Sequence, residues 1–134
     1  MVPFHGVFDT LRFELHEKTV TLSGQVVRET VKTSAERVIK RLDGVDQVVN
    51  QIEVLPSSRR DDATRMNVYR AIYEKPPLEK YGTRAMPPIH IIVKDGYVAL
   101  EGFVDSDEDR NTAYVRARKV AAHVINNLRV APEG

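Results

Sequence analysis

The feature that most constrains the fold of this chain is an internal repeat. Residues 20–26 and 98–104 share the pattern V-x-L-x-G-x-V at a separation of 78 residues. Residues 49–56 and 125–132 also resemble each other, in the same order along the chain but 76 residues apart. Because both blocks recur in order, we interpret the 134 residues as two copies of one small unit. The second copy is two residues shorter between the blocks.

A polar segment separates the two copies. Residues 57–62 read SSRRDD and show no hydrophobic periodicity, which is typical of a short linker. The sequence therefore predicts two domains, residues 1–56 and residues 63–134.

Each copy is predicted to begin its sheet with a hairpin. Apolar and polar residues alternate over residues 19–26, which indicates a half-buried strand, and residues 12–16 supply its partner. In the second copy the partner is residues 89–94. There Asp95–Gly96 suits a two-residue turn in which both residues have positive φ. The first copy has Glu17–Lys18 at this position, which is a much poorer turn sequence.

A helix is predicted after each hairpin, and a last strand after each helix. Asp43–Gly44 is predicted to end the first helix, and Ser106 to cap the start of the second, whose first turn is acidic. The last strands are predicted at residues 47–54 and 124–130, which gives each copy a small mixed sheet with its helix on one face. The apolar stripes at helical spacing are Val31, Ala35, Val38, Ile39 and Leu42 in the first copy and Ala113, Ala117, Val120 and Ala121 in the second.

The two copies differ at their N-terminal ends. Residues 63–74 predict an additional helix in the second copy, capped by Asp61 or Asp62 and ended by Pro76–Pro77. The first copy has room only for the last turn or two of such a helix. We therefore expect the natural protein to continue upstream of residue 1. The apolar residues that remain there are Phe4, Val7, Phe8 and Leu11.

Composition excludes several classes of function. The 20 Lys and Arg against 19 Asp and Glu leave a net charge of +1, which argues against a nucleic-acid binder. The absence of cysteine excludes disulfides and thiolate chemistry, and no run of about 18 apolar residues predicts a membrane span. Residues 1–10 lack the basic-then-apolar pattern of a secretory signal.

In this order and spacing, the repeated motifs resemble the BON family (bacterial OsmY and nodulation domains). The resemblance is carried by V-x-L-x-G-x-V twice, by residues 42–45 (LDGV), and by residues 48–52 (VVNQI) and 124–128 (VINNL). The second copy departs from the family pattern at residues 121–123 (AAH), where Gly-Val usually follows the helix. The positions to which we assign structural roles are Gly24, Gly44, Gly102, Asp95, Gly96, Asn50 and Asn126.

The resemblance implies an α+β fold of two α-β-β-α-β units, each a three-stranded mixed sheet with helices on one face. The first unit would lack most of its first helix. It also implies a non-enzymatic protein of the bacterial periplasm or envelope that is linked to osmotic or envelope stress and binds phospholipid. By the same resemblance, residues 63–75 would contact anionic lipid.

The sequence contains only weak matches to motifs for metal binding or catalysis. Residues 105–109 (DSDED) resemble the start of a calcium loop, but Arg110 and Arg116 stand where an EF-hand needs Gly and Glu. No two of the four histidines have the spacing of a helical zinc site, so hydrogen-bonded or exposed histidines are the better interpretation. No nucleophile motif or phosphate-binding loop is present, and we expect no cofactor.

The candidate contact surface is the additional helix of the second copy. Its tyrosines and basic residues suit an anionic lipid surface, although the same residues could simply pack on the sheet. The basic faces of the other two helices are either solvated or electrostatically attractive to lipid. The alternative is a protein-interaction module that binds another envelope protein or forms a homodimer. The predicted contacts are Arg65, Met66, Tyr69, Arg70, Tyr73 and Lys75.

Overall fold

The computed structural model describes residues 6–132. The chain divides into two compact units between Pro56 and Ser57. We call them domain 1 and domain 2.

Domain 1 contains a hairpin, a helix and a last strand in two pieces. The hairpin is β1 (Thr10–His16) and β2 (Thr19–Val26), followed by α1 (Glu29–Lys40). The last strand is split into β3 (Gln47–Asn50) and β4 (Glu53–Val54).

Domain 2 repeats this order after two helices. These are α2 (Arg59–Tyr73) and the short α3 (Glu79–Gly82), which the sequence did not predict. The repeated elements are β5 (Ile89–Lys94), β6 (Tyr97–Val104), α4 (Asp107–Val120), β7 (His123–Asn126) and β8 (Arg129–Val130).

The two sheets have the same topology, which confirms the predicted mixed α+β architecture. In domain 1, β2 is central, antiparallel to β1 and parallel to β3 and β4. In domain 2, β6 is central, with β5, β7 and β8 around it in the same way. Each sheet turns one face toward its helix, and the core lies between them.

An asparagine breaks the last strand of each sheet. Asn50 donates from Nδ2 to the Lys32 carbonyl at 3.0 Å and accepts from the Ile52 N–H at 3.1 Å. Asn126 makes the same two contacts, with the Arg110 carbonyl at 3.1 Å and the Leu128 N–H at 3.3 Å. One amide side chain therefore ties the strand to its helix and satisfies the backbone where the ladder is interrupted.

Gly24 and Gly102 lie where a neighbouring backbone approaches the central strand. Their φ angles are 123° and 118°, in the region that favours glycine. A Cβ at Gly24 would lie 2.0 Å from the Thr10 carbonyl oxygen, and one at Gly102 would lie 1.9 Å from the Pro88 oxygen. Both a positive φ and a lack of space therefore require glycine here.

Three boundaries differ from the sequence prediction. The first helix ends at Lys40, and Gly44, at φ 89°, lies beyond it in a turn closed by the Val45 N–H and the Leu42 carbonyl. The helix predicted from residue 63 begins at Arg59, within the predicted linker, because Ser58 caps it. The partial helix predicted at the N-terminus is wrong where it can be judged: Val7 and Phe8 form a turn and Leu11 belongs to β1, while Phe4 lies outside the described residues.

We predict that Gly102→Ala destabilises domain 2 far more than Gly96→Ala does. Gly96 also has a positive φ, 83°, but a Cβ added there would meet no atom within 4 Å, so alanine costs about 1 kcal/mol. At Gly102 the clash adds backbone displacement, and we expect a total of roughly 3 kcal/mol. Urea denaturation of both variants measures the difference, and equal losses would contradict it.

Candidate functional site

Helix α2 starts from a side-chain cap and packs on the helix side of the domain 2 sheet. Ser58 Oγ accepts a hydrogen bond from the Asp61 N–H at 3.1 Å, which satisfies one of the free amides of the first turn. The buried residues of α2 follow helical spacing, which identifies the face that meets β5 and α4. They are Asp61, Arg65, Val68, Ile72 and Tyr73.

Asp61 holds the hairpin turn between β5 and β6. Its carboxylate accepts hydrogen bonds from the Asp95 N–H at 2.8 Å and the Gly96 N–H at 3.0 Å, and the residue is only 3% exposed. Asp95 has φ 51° and Gly96 has φ 83°, so both turn residues adopt the left-handed region. The turn amides thus have a charged acceptor supplied by the helix.

Arg65 and Tyr73 form hydrogen bonds with backbone groups on the outer edge of β5. Arg65 Nη2 donates to the Val93 carbonyl at 2.8 Å, and Nη1 donates to Asp62 at 2.7 Å. The Tyr73 hydroxyl donates to the Ile89 carbonyl at 2.5 Å and accepts from the Ile89 N–H at 3.1 Å. Burial raises the pKa of Tyr73 well above its ordinary value, so the hydroxyl keeps its proton and can donate.

The predicted contact residues of α2 therefore divide into two groups. Arg65 and Tyr73 are 4% and 6% exposed, so neither can lie on a lipid or partner surface. Met66, Arg70 and Lys75 are exposed, and Tyr69 is half-buried with its ring 5.0 Å from that of Tyr73. A contact role stays a prediction for these last four residues. Positions 61, 65, 68 and 72 recur at helical spacing, which predicts that they share one face of α2. That face therefore includes two charged residues, Asp61 and Arg65.

The basic face predicted for α4 consists of Arg110, Arg116, Arg118 and Lys119, and the first two are engaged inside the domain. Arg110 donates to the Leu128 carbonyl at 2.7 Å and the Asn126 carbonyl at 3.2 Å. Arg116 donates to the carbonyls of Ile72 and Lys75 at 3.2 and 2.9 Å, and to that of Pro76. Because Arg116 neutralises the carbonyl end of α2, it is a structural residue. Arg118 and Lys119 remain exposed.

A buried tyrosine–carboxylate pair links α3 to the start of α4. The Tyr81 hydroxyl donates to Asp109 Oδ2 at 2.6 Å and accepts from the Asp105 N–H at 2.8 Å. Lys80 Nζ lies 3.0 Å from the same carboxylate oxygen. The sequence analysis placed Asp109 in the acidic first turn of α4 and missed this pair, because Tyr81 lies 28 residues away.

The pKa values of Asp109 and Tyr81 are shifted in opposite directions. Burial raises the pKa of Asp109, but the hydrogen bonds from Tyr81 and Lys80 outweigh it and hold the pKa below its ordinary value. Burial and the bond to Asp109 raise the pKa of Tyr81. At neutral pH the carboxylate is therefore charged and the phenol protonated, which is the state in which Tyr81 donates to Asp109.

The face of the domain 2 sheet opposite the helices exposes apolar side chains. Tyr97, Phe103 and Ile125 are 59%, 51% and 60% exposed, and Tyr97 stacks on His123 with the ring centroids 4.6 Å apart. We call this set the outer face of domain 2. It was not predicted from the sequence. The sequence does contain an indication of this apolar face. Tyr97 and Phe103 occupy variable positions of the repeat, where domain 1 has Thr19 and Gln25.

Within residues 6–132, the structure brings together no group of three or more histidine, aspartate or glutamate residues able to hold a metal ion. His16, His90 and His123 lie on strands of the two sheets, and His5 lies outside the described residues. None of the helices in this described part has both the length and the apolar character needed to cross a bilayer.

Comparison with known proteins identifies the family. The BON domain model matches residues 10–56 and 61–132, so most of the chain belongs to the BON family as two adjacent domains. No curated protein matches the chain.

Among solved structures, the chain is similar to the C-terminal domain of CdsD, a structural protein of the type III secretion system of Chlamydia trachomatis. The identity is 16% over 90% of this chain and 57% of that chain, with a TM-score of 0.36. A second structural study of CdsD gives 13% identity over 93% of this chain and 88% of that chain, with a TM-score of 0.33. The chain thus spans little more than half of the first of these proteins, and likeness at this level carries no function with it.

We predict that Asp109 contributes pH-dependent stability to domain 2. Because its pKa is lowered on folding, the contribution is complete above the ordinary aspartate pKa of about 3.9 and is lost as the pH falls through the lower folded value. Asp109→Asn should lower the free energy of unfolding by about 2 kcal/mol at pH 7 and by less near pH 3.

Chemical denaturation at the two pH values measures this effect. Asp107→Asn is the matched control, since Asp107 is exposed in the same helical turn. A loss for Asp109→Asn that does not change with pH would contradict the assignment.

Proposed function

We propose that this chain is a non-enzymatic binding protein of the bacterial envelope and that domain 2 contacts another protein through its outer face. The observation that carries the proposal is the exposure of Tyr97, Phe103 and Ile125 on one sheet face. Monomeric proteins seldom expose grouped aromatic and aliphatic side chains without a binding role, and aromatic residues are enriched at protein interfaces.

The surroundings of the outer face favour a protein over a lipid surface. Lys94, Glu101 and Arg129 belong to β5, β6 and β8 of the same sheet, so the charges near the face are of mixed sign. Glu101 is hydrogen-bonded to Asn127 Nδ2 at 2.6 Å. An apolar centre within a polar border of both signs is the arrangement expected of a protein interface, whereas an anionic membrane would select a basic border.

The two domains differ in this respect although their folds are the same. At the positions of Tyr97 and Phe103, domain 1 has Thr19 and Gln25, and the residue equivalent to Ile92 is Glu14. The topology alone therefore does not require apolar side chains on this face. Their presence in domain 2 supports a role specific to that domain, and the resemblance to the family supports the envelope location.

Phospholipid binding is the second candidate, supported by the exposed side of α2. Met66 is 41% exposed and lies on the same helix as the exposed Arg70, with Lys75 just beyond its end. Each basic residue near an anionic surface contributes about 1 kcal/mol, so this set would give weak, salt-sensitive attraction. With Arg65 and Tyr73 buried, the surface is smaller than the sequence predicted.

Site-specific photo-crosslinking tests the protein-binding proposal. We expect a photoreactive phenylalanine at position 103 to crosslink a defined partner protein in bacterial cells, because Phe103 is 51% exposed at the proposed interface. The same residue at position 25, the equivalent site in domain 1, is the matched control and should give no such product. Equal products from both positions, or none from position 103, would contradict the proposal.

Vesicle flotation distinguishes the lipid alternative. If lipid contact is the function, the chain floats with anionic vesicles at low salt, and Arg70→Glu with Lys75→Glu reduces flotation more than the control pair Arg12→Glu with Lys18→Glu. The protein-binding proposal expects no flotation that depends on Arg70 and Lys75.

A further inference from the structure

Glycine follows aspartate at two places in the chain, once in each domain. The pairs are Asp43–Gly44 and Asp95–Gly96, and every other aspartate is followed by a residue that carries a Cβ. In such a pair the glycine nitrogen lies near the carboxyl carbon of the aspartate side chain, and no Cβ hinders its approach. The chain therefore offers the same reactive pair in two different structural settings.

In domain 2 a buried carboxylate holds the pair. Asp95 is exposed, and it forms the turn between β5 and β6 together with Gly96. Asp61 accepts hydrogen bonds from the N–H groups of both residues, at 2.8 and 3.0 Å, and is itself only 3% exposed. The Gly96 nitrogen can reach the Asp95 side chain only if the peptide group between them rotates, which breaks its bond to Asp61. Because hydrogen bonds to a carboxylate are strong, the folded turn resists this rotation.

In domain 1 the equivalent chemistry has no such restraint. Asp43 and Gly44 lie between α1 and β3, and both are exposed. Their turn is closed by one backbone hydrogen bond, from the Val45 N–H to the Leu42 carbonyl at 3.3 Å. Within residues 6–132, no group accepts a hydrogen bond from the Gly44 N–H. The peptide group between Asp43 and Gly44 can therefore rotate at little cost.

We propose that Asp43–Gly44 is a site of spontaneous isoaspartate formation and that Asp61 protects Asp95–Gly96 from the same reaction. The Gly44 nitrogen attacks Cγ of the protonated Asp43 carboxyl group, and the new nitrogen–carbon bond closes a cyclic imide as water leaves. Water then adds to the main-chain carbonyl carbon of the imide, and the bond from that carbon to nitrogen breaks. The chain now runs through Cβ and Cγ, and its mass is unchanged because the water that left has been regained.

The modification is confined to the turn. The product retains a carboxylate but lengthens the backbone by one carbon between α1 and β3. A Cβ placed at Gly44 would meet no atom within 4 Å, so the turn has space for the change. The Asp46 N–H donates to the Lys18 carbonyl at 2.8 Å, which fixes the chain again directly before β3. Domain 1 therefore stays folded while the modified fraction rises with the age of the protein.

The proposal concerns neither the outer face nor α2 as a contact surface, and it does not depend on the proposed function. A reaction that needs only the chain and water also requires no ligand or partner. The structural argument lies in the contrast between the two pairs, since both aspartates are exposed and only one of the glycine amides is bonded to a carboxylate.

Ageing of the purified full chain in neutral buffer tests the proposal. Peptide mapping with electron-transfer fragmentation distinguishes isoaspartate from aspartate at each position although their masses are equal. We expect isoaspartate to form about tenfold faster at position 43 than at position 95, because only the second amide must first leave a charged acceptor. In guanidinium chloride that unfolds both domains, the two rates should become similar, since neither amide then has a folded partner.

Variants separate the causes. Asp43→Glu keeps the charge but would have to close a larger ring, so the product at position 43 should disappear. Asp61→Asn should raise the rate at position 95 about tenfold and leave the rate at position 43 unchanged. The matched control is Asp62→Asn, since Asp62 is exposed and bonds to Arg65 rather than to the turn.

The comparison of the folded with the unfolded chain needs no variant, so it decides the result even if Asp61→Asn fails to fold. Equal rates at positions 43 and 95 in the folded chain would overturn the proposal. So would a difference that persists in guanidinium chloride, or a folded Asp61→Asn variant, as judged by circular dichroism, whose rate at position 95 does not rise.

Discussion

The structure of domain 2 depends on how the outer strand of its hairpin is covered. Such a strand has one apolar face and, on its free edge, backbone groups that no neighbouring strand can pair. In domain 2, α2 meets both needs at once: Val68 and Ile72 bury the face, while Arg65 and Tyr73 bond to the edge. The guanidinium of Arg65 and the hydroxyl of Tyr73 thus have a structural role, and they are not free to bind a ligand.

The two domains share one topology, but different side chains form the hydrogen bonds that stabilise it. The amide that follows the central strand shows this directly. In domain 1 the Val27 N–H donates to Asp9 at 2.8 Å, and in domain 2 the equivalent Asp105 N–H donates to the Tyr81 hydroxyl, also at 2.8 Å. Because an unpaired buried amide is costly, the position must be satisfied, but different side chains from different segments satisfy it. The surfaces diverged more freely, since the outer-face residues Tyr97 and Phe103 of domain 2 are replaced by Thr19 and Gln25 in domain 1.

Much of the fold could be predicted from the sequence, whereas most of the surfaces could not. Alternation over β2 and β6 indicated the strands, and Ser106 indicated the start of α4, because both signals are local. The burial of Asp61 and Arg65 was missed because Asp61 was interpreted as a helix cap and Arg65 as a contact residue. Their partners at Gly96 and Val93 are distant in the chain. Tyr81 was left unassigned for the same reason, since its carboxylate partner belongs to another helix.

The central claim is that the covering helix α2, and not the hairpin itself, protects the outer strand of domain 2. Native-state hydrogen exchange of the unmodified chain tests it most directly by comparing the Ile89 amide, which donates to Tyr73, with the equivalent Leu11 amide in domain 1. The account predicts that the Ile89 amide exchanges only when domain 2 unfolds, whereas the Leu11 amide exchanges orders of magnitude faster than domain 1 unfolds. Equal protection of the two amides relative to their domains would contradict it.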